Sequence, residues 1–346
     1  MRLSTMLSVF VYVVATSAVI AQTQAPAWPR EAENPTAPKP PIVSARVAPL
    51  IGEYESQSLP GTPAKHLIMF EQDGKPWIVI DRGEARPFWK PSTDELFVED
   101  NASPTPLSVI DVTIGGEKFT RVQVGPEPGG QLHVAPIRNV ADVLRESLGV
   151  APPRETGEFR PSDLVELAKI DPSIKRDIRY ATTNNFLGSV FYAEARAFLQ
   201  RPAAEALLRV QQVLRPLGYG LLIHDGYRPW YVTRTFWETT PQDKKWLVAN
   251  PASGSKHNRG AAVDLTLVDI KTGAVIEMPS TYDESTPRAY AFYPGGTSLQ
   301  RWHRALLRRT MEAVGFTVNP EEWWHFDYED WKSYTIGNVT FDKIKK

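Results

Sequence analysis

The sequence predicts a protein of the α+β class in two folded parts, the first all-β and the second mixed. Short apolar runs joined by Asp-Gly and Gly-Gly turns fill residues 46–150, which is typical of a small all-β sandwich or barrel domain. Helical and strand patterns mix in residues 158–346, which favours a small, mainly antiparallel sheet flanked by helices. A polar, Pro-containing link at residues 151–158 separates the two, and 346 residues are enough for each part to bury its own core.

The N-terminal segment has the composition of a targeting sequence followed by a tether. Residues 1–21 start with Met1-Arg2, continue with a short apolar run and end in small residues, which predicts a cleaved signal peptide. The run is shorter than the ~20 residues that span a bilayer, so we expect no stable membrane insertion after cleavage. Residues 22–45 are proline-rich and predict an extended linker. We therefore expect an exported protein, periplasmic or secreted, which without any cysteine depends on burial rather than on disulfides for its stability.

Turn residues place two hairpins in the β-rich part. Residues 66–70 and 76–80 flank Asp73-Gly74, and residues 109–114 and 119–124 flank Gly115-Gly116. The role of this part remains open.

A helix closes the β-rich part, and strands and helices then alternate. Asn139 is the predicted N-cap of a helix that runs to Leu148 and stops at Gly149. The further predictions are a strand at 164–170, a helix at 203–214, a short buried strand at 221–223, a strand at 263–270 paired through a glycine turn with 274–278, and a helix from Ser298 to Gly315.

Charge excludes several classes of partner. The chain has 39 basic and 40 acidic side chains and a formal net charge of -1, with no sustained run of either sign. A protein that binds nucleic acid or an anionic surface is usually basic on at least one face. We therefore expect no nucleic-acid partner and favour a small, roughly neutral substrate.

Two short stretches carry the residue types of a hydrolytic metal site. His257 lies in a Gly-flanked loop just before a strand that contains Asp264, and His325 lies in a distant stretch, Glu322-Trp-Trp-His325. A catalytic site needs three protein ligands and leaves a fourth position for water, so we take His257, Asp264 and His325 as candidate ligands. Imidazole and carboxylate donors suit Zn²⁺, although manganese, cobalt or nickel would fit the same donors.

The strand that carries Asp264 is otherwise apolar. Ala262, Asp264 and Thr266 should face one side, and the valine and leucines between them the other. Taken singly, His257 is more simply a solvated loop histidine and Asp264 a strand-edge residue. A buried acid in such a strand is costly without a cation or partner, so the co-occurrence of these residues favours the metal site.

Glu322 is the candidate general base. In a regular strand Glu322 and His325 would face opposite ways, so both reach one site only if Glu322 lies in a loop or bulge entering the strand. Pro320 is compatible with such a late strand start. The carboxylate would then take a proton from the attacking water and deliver it to the leaving amine.

These motifs resemble those of the zinc D-alanyl-D-alanine dipeptidases. The resemblance rests on Ser255-x-His257-x-x-Gly260-x-Ala262-x-Asp264 and on Glu322-Trp-Trp-His325. Three further stretches agree, in the same order along residues 164–334, namely 179–186 (RYATTNNF), 225–229 (DGYRP) and 278–283 (MPSTYD). The β-rich part has no share in this similarity.

The resemblance implies a role for each matching residue. His257, Asp264 and His325 would bind one zinc ion, Glu322 would be the catalytic base, and Arg228 would polarise the scissile carbonyl. An acid at the position of Asp283 binds the free ammonium of the dipeptide in that family, and residues matching Tyr180 and Ser255 orient it. A carboxylate that neutralises a free amine selects a true dipeptide over the end of a longer chain. Read without the family, Arg228 could be a surface turn residue and Asp283 a helix N-cap.

Three functions remain open at this point. The first is a zinc dipeptidase that splits D-Ala-D-Ala, a small D-amino-acid dipeptide, into two D-alanines, with peptidoglycan fragments as possible further partners. The second is a D,D- or L,D-carboxypeptidase that trims peptidoglycan stem peptides with the same zinc apparatus. The third is a non-catalytic wall-peptide binding protein, against which Glu322 and Arg228 argue because binding requires neither a base nor an oxyanion partner. The remaining histidines at 66, 133, 224 and 303 match no family position and are interpreted as structural or surface residues.

Overall fold

The computed structural model describes residues 38–45, 47–57, 62–81, 86–87, 98–100, 110–122 and 132–344. The predicted signal peptide and most of the predicted linker lie outside these ranges. In the described ranges no helix combines the length and the apolar character that a membrane span requires.

The β-rich part is a single antiparallel sheet in the described residues. Its strands follow the spatial order β4-β3-β2-β1-β7-β6-β5. Both predicted hairpins are present, since β2 pairs with β3 and β6 with β7. The described strands thus belong to one hydrogen-bonded sheet, and the predicted sandwich or barrel is not confirmed. The strands are β1 (Gly52–Ser56), β2 (His66–Gln72), β3 (Lys75–Ile80), β4 (Arg86–Pro87), β5 (Val98–Asp100), β6 (Ile110–Ile114) and β7 (Glu117–Val122).

Both faces of this sheet are buried around β2. Leu67 and Met69 belong to an apolar cluster on one face, whereas Ile68 and Phe70 belong to a second cluster that includes Tyr293 from the C-terminal part. The alternation of side chains along a strand explains this division. The second face of the sheet therefore packs on the C-terminal part.

The C-terminal part is mixed, as the α+β expectation requires. Its main sheet has the order β13-β14-β12-β11-β9 and is antiparallel except for the β11–β9 pair, while β8 and β10 form a separate pair. Helices α3 and α5 pack on each other and on this sheet. The helices are α1 (Val140–Leu148), α2 (Leu167–Ile170), α3 (Arg201–Leu214), α4 (Trp230–Thr239) and α5 (Ser298–Glu312). The strands are β8 (Leu164–Glu166), β9 (Lys175–Arg176), β10 (Phe198–Gln200), β11 (Tyr219–Asp225), β12 (Ala262–Asp269), β13 (Phe316–Asn319) and β14 (Glu322–Tyr328).

Two strand predictions were wrong in part. The strand predicted at 164–170 is β8 followed by the single turn α2, because the Leu167 carbonyl accepts from the Asp171 N–H at 3.0 Å and bends the chain. The return strand predicted at 274–278 is reduced to one bridge between Val268 and Val275. The neighbours of β12 are β11 and β14, so only the end of β12 is left for this segment.

Helix α1 has the predicted cap but packs with the C-terminal part. Asn139 Oδ1 accepts from the Asp142 N–H at 3.1 Å. Val140 belongs to the C-terminal core, and α1 packs against α4. At the other long helix, α5, the cap is Thr297, one residue before the predicted Ser298.

Candidate metal centre

Strand pairing brings two of the three predicted ligands side by side. Asp264 on β12 and His325 on β14 are directly opposite each other in an antiparallel pair, so their side chains share one face of the sheet. As predicted, Val263, Leu265 and Leu267 point to the other face and join the core. The two candidate ligands are therefore held by the middle of the main sheet.

The third predicted ligand comes from a tight turn. Residues Lys256–Arg259 form a 3-10 turn whose N-terminus is capped by a reciprocal pair, with Ser255 Oγ accepting a backbone N–H and Asn258 Oδ1 accepting the Ser255 N–H. Gly260 ends the turn with a φ of 68°, and a Cβ at this position would lie 2.5 Å from Leu164 Cδ2. Only glycine fits here, and the turn directs the His257 imidazole towards β12.

The three ligand atoms converge on one point. His257 Nε2 lies 3.1 Å from His325 Nδ1, which lies 3.0 Å from Asp264 Oδ1. His257 Nε2 and Asp264 Oδ1 are 3.4 Å apart. A tetrahedral zinc ion with bonds of about 2.0–2.1 Å places its ligand atoms about 3.3 Å apart, so this triangle has the size that zinc requires.

The outward-facing atoms of all three residues are occupied by other groups. His257 Nδ1 lies 2.8 Å from the Gly226 carbonyl, and His325 Nε2 lies 3.0 Å from Asp327 Oδ1. The Tyr282 hydroxyl donates to Asp264 Oδ2 at 3.2 Å. Because the outer nitrogen of each imidazole has an acceptor, the neutral ring keeps its proton there and offers the inner nitrogen for coordination.

The electrostatics of the cluster favour a positive charge at its centre. Burial alone would lower the pKa of His325, but Asp264 and Asp327 raise it to about 10. Burial would raise the pKa of Asp264, but His257 and His325 hold it well below its usual range. In addition, Asp225 pairs with Arg228 and Asp327 with Lys256, so Arg228 approaches Asp264 only to 3.9 Å, and none of the described ion pairs joins Asp283 or Glu322 to a lysine or arginine. A divalent cation at the triad would neutralise most of this charge.

Arg228 lies beside the cluster in a rigid setting. Its guanidinium donates to Asp225 Oδ2 from Nε at 2.9 Å, and Nη2 lies 3.9 Å from Asp264 Oδ2. The rings of Tyr180 and Phe236 each have their centroid 5.1 Å from the guanidinium carbon. Burial alone would lower the pKa of Arg228, but the Asp225 carboxylate holds it well above its usual value, so the residue stays charged.

A bulge in β14, as predicted, brings Glu322 close to the cluster. Val318 pairs with Phe326 but Asn319 pairs with Glu322, so β14 has extra residues at this point and Glu322 turns towards the face of His325. Glu322 Oε2 lies 3.7 Å from His325 Nδ1 and accepts from Asn319 Nδ2 at 3.0 Å. Its partial withdrawal from water raises the pKa of Glu322.

Asp283 and Tyr180 lie within electrostatic reach of the cluster. Burial, together with the negative charges of Asp264 and Glu322, raises the pKa of Asp283 to about 8. Its Oδ2 is buried and has no hydrogen-bond partner among the described atoms. Burial also raises the pKa of Tyr180, with a contribution from Asp283. Ser255 differs in that its hydroxyl serves the His257 turn, so its predicted contact with a ligand stays a prediction.

Four residues at the centre were not identified from the sequence. Asp225 and Asp327 hold Arg228 and His325, and Tyr282 holds Asp264. His224 is buried and stacks on Tyr282 with ring centroids 4.4 Å apart. A bulge in β11 at His224 lets Asp225 pair with Asp264. Two sequence features could have identified the aspartates. Asp225 begins the Asp-Gly-Tyr-Arg-Pro motif, and Asp327 lies two positions after His325 and therefore on the same face of the strand.

The C-terminal part of this chain is similar in sequence to known peptidases. The model of a peptidase family described as D-ala-D-ala dipeptidase matches residues 160–341. The D-alanyl-D-alanine dipeptidase of Escherichia coli K12 is 33% identical over 175 residues, which cover 51% of this chain and 89% of the relative. Those of Enterococcus faecium and Enterococcus faecalis are 32% and 34% identical and cover 47% and 45% of this chain and 90% and 87% of their own length.

The matched region contains every residue of the cluster. Peptidases of this family depend on a metal ion, in agreement with the potential metal-binding group His257, Asp264 and His325. Because the family match spans just over half of the chain and includes the candidate metal-binding triad, this protein belongs to the D-Ala-D-Ala dipeptidase family of peptidases and is an enzyme.

Proposed function

We propose that this enzyme is a zinc dipeptidase that hydrolyses free D-Ala-D-Ala to two D-alanines, with Glu322 as its general base. The observation that carries the proposal is the triangle of ligand atoms, 3.0 to 3.4 Å on each side, with the Glu322 carboxylate 3.7 Å from one corner. The relatives, which are D-alanyl-D-alanine dipeptidases, supply the substrate class.

The donor set fits a zinc ion. His257, Asp264 and His325 would hold it, and the protons on the outer nitrogens of the two histidines are already engaged by Gly226 and Asp327. A bound zinc ion lowers the pKa of a coordinated water molecule and polarises a carbonyl group.

Glu322 and Arg228 divide the remaining work. The Glu322 carboxylate accepts a proton from the attacking water and transfers it to the amine of the leaving D-alanine. Asn319 Nδ2 holds the carboxylate at 3.0 Å. Arg228 stabilises the negative charge that develops on the carbonyl oxygen, and its contacts with Asp225 and two aromatic rings fix it before the substrate arrives.

Asp283 accounts for selectivity towards a dipeptide. A buried carboxylate oxygen without a hydrogen-bond partner is costly, and an ammonium group supplies both the charge and the donors that it lacks. An acylated amine keeps a single N–H group and carries no charge, so a longer peptide would leave the carboxylate uncompensated. This favours a dipeptidase over a carboxypeptidase.

Two substrates separate these alternatives. Zinc-loaded protein should hydrolyse D-Ala-D-Ala much faster than N-acetyl-D-Ala-D-Ala. A preference for the acetylated peptide would identify a carboxypeptidase instead. Measurable affinity without hydrolysis of either peptide would indicate a binding protein.

Glu322→Gln tests the base, and the neighbouring exposed Glu321 offers a matched control. We expect Glu322→Gln to retain the metal and to lose about 10²–10⁴-fold in kcat, the usual contribution of a general base. Glu321→Gln should behave like the wild type, since its side chain is exposed and adjacent to the site only in sequence. A Glu322→Gln variant with most of its activity would refute the assignment.

We further propose that the enzyme is exported and acts on peptides released from the cell wall. Support comes from the pattern of residues 1–21 and from the D-alanine chemistry of the relatives. Fractionation of cells that express the full chain, with N-terminal sequencing of the product, tests this. Recovery of an uncleaved chain in the cytoplasm would contradict it.

A further inference from the structure

We propose that the N-terminal sheet positions the substrate loop, residues 279–297, and so contributes to the recognition of the free amine. This inference rests on the proposed function of Asp283. It concerns a contact between the matched region, residues 160–341, and a sheet that lies outside that region.

One end of the substrate loop lies in the metal centre. Tyr282 donates to Asp264 Oδ2 at 3.2 Å, and Asp283 is the next residue. Asp283 has a φ of 59°, a left-handed conformation that is uncommon for residues with a side chain, although Asp adopts it more readily than most. Apart from a short 3-10 turn at Pro287–Ala289, the loop has no regular structure of its own. Its conformation therefore depends on contacts along its length.

The other end of the loop packs on one face of the N-terminal sheet. Tyr293 is only 3% exposed and packs with Ile68, Phe70 and Val79 of β2 and β3. Its hydroxyl donates to Glu53 Oε1 on β1 at 2.6 Å. Glu53 is itself 4% exposed, so loss of this donor would leave a buried carboxylate oxygen short of a partner.

A tight turn holds the Tyr293 ring in place. A Cβ at Gly295 would lie 2.2 Å from the ring, so the glycine permits the backbone to cross close to it. Directly after this turn, Gly296 accepts from the Glu71 N–H of β2 at 3.2 Å.

A second anchor lies where the loop enters α5. Glu71 Oε2 accepts from the Ser298 N–H at 2.8 Å, and the Glu71 carbonyl accepts from Arg301 Nη2 at 2.6 Å. A carboxylate at a helix N-terminus satisfies a free N–H group and interacts favourably with the helix dipole. Side chains and backbone of the sheet thus hold the end of the loop at two places, and the metal centre holds its beginning.

Two buried tyrosines allow a matched test. Tyr293→Phe removes the hydroxyl that binds Glu53 at the interface, whereas Tyr54→Phe removes a hydroxyl that binds the Leu50 carbonyl at 2.7 Å within the sheet's own core. Both changes delete one buried hydroxyl and keep the ring. A general loss of stability in the sheet would affect both variants alike.

Steady-state kinetics provide the first measurement. For Tyr293→Phe we expect KM for D-Ala-D-Ala to rise about fivefold, the lower end of usual coupling between separate sites, with kcat within about twofold. The inhibition constant of N-acetyl-D-Ala-D-Ala should stay unchanged, since this ligand has no ammonium for Asp283. Tyr54→Phe should match the wild type in all three values. The inference is overturned if KM does not change, or if the two ligands weaken equally.

Hydrogen–deuterium exchange of the metal-free protein provides a second measurement that does not depend on activity. Amides of residues 280–292 should exchange faster in Tyr293→Phe than in the wild type or in Tyr54→Phe. Equal exchange in all three proteins would overturn the positioning role even if the wild type hydrolyses the dipeptide. If the wild type hydrolysed no dipeptide, the proposed function would be refuted. The exchange data would still test whether the sheet positions the loop.

Discussion

Replacement of Asp327 by asparagine should weaken metal binding without touching a ligand. Asp327 Oδ1 accepts from His325 Nε2 at 3.0 Å, and its other oxygen binds Lys256. This contact keeps the proton on the outer nitrogen of His325 and presents the inner nitrogen to the metal. An asparagine oxygen can accept the same hydrogen bond from His325 Nε2. It lacks the negative charge that makes the imidazole a stronger ligand for the metal.

The expected size of the effect follows from this geometry. Loss of an outer partner of a metal-binding histidine usually costs 10- to 100-fold in affinity, which is about 1.4–2.8 kcal/mol. The His325 side chain is 13% exposed, so water can replace only part of the contact. We expect about tenfold for Asp327→Asn and a value nearer 100-fold for Asp327→Ala, which also leaves Lys256 without this partner.

Competition with a chromophoric chelator measures the zinc dissociation constant directly. Asp330→Asn is the control, because Asp330 lies three residues further on and pairs with Arg160 at 2.8 Å instead of with a candidate ligand. It should bind zinc like the wild type. If Asp327→Asn also bound zinc with wild-type affinity, Asp327 would not orient His325 and the assignment of the outer hydrogen bond would be wrong.

Three further predictions concern stability. Asn258→Ala removes the buried amide that donates to the Arg228 carbonyl. We expect the free energy of unfolding, measured by chemical denaturation, to fall by about 3 kcal/mol. A change below about 0.5 kcal/mol would show that the amide is dispensable. Gly260→Ala forces a side chain into a φ of 68° and should cost at least about 1–2 kcal/mol, whereas an unchanged unfolding midpoint would contradict the strain argument. The hydrogen bond to Glu53, opposed in part by burial, raises the pKa of His66, so the contribution of this pair is complete below about pH 6.5 and is lost as pH rises through the raised folded-state value. His66→Gln should therefore destabilise the protein by up to about 1 kcal/mol at pH 5.5 and less at pH 9, and a loss that increased with pH would contradict this sign.

The candidate ligands could be selected from the sequence because their spacing carries chemical information, and the structure brings all three together. An acid inside the apolar strand β12 already indicated a cation or a charged partner, and the position of Glu322 required a bulge that the structure contains. The alternating faces of β12 followed from the strand period alone. These features depend on short-range sequence, where side-chain direction is tied to backbone geometry.

The contacts that support the ligands could not be predicted in the same way. Tyr282 bonds Asp264 across 18 positions, and Tyr293 bonds Glu53 across 240. Contacts at these separations depend on how whole elements pack, which local patterns do not specify. The strand predicted at residues 164–170 ends early for a similar reason. At the end of β8 the Leu167 N–H donates to the carbonyl of the distant Ala197.

The bulge at His224 has an evolutionary consequence. Because Asp225 and Asp264 are paired across β11 and β12, the backbone register sets the separation between the Arg228 anchor and the metal triad. Insertions or deletions in the connecting segments would alter the loops around the cluster while leaving that separation unchanged. Descendants of this scaffold can thus diverge in the peptides they admit and still inherit the same hydrolytic chemistry.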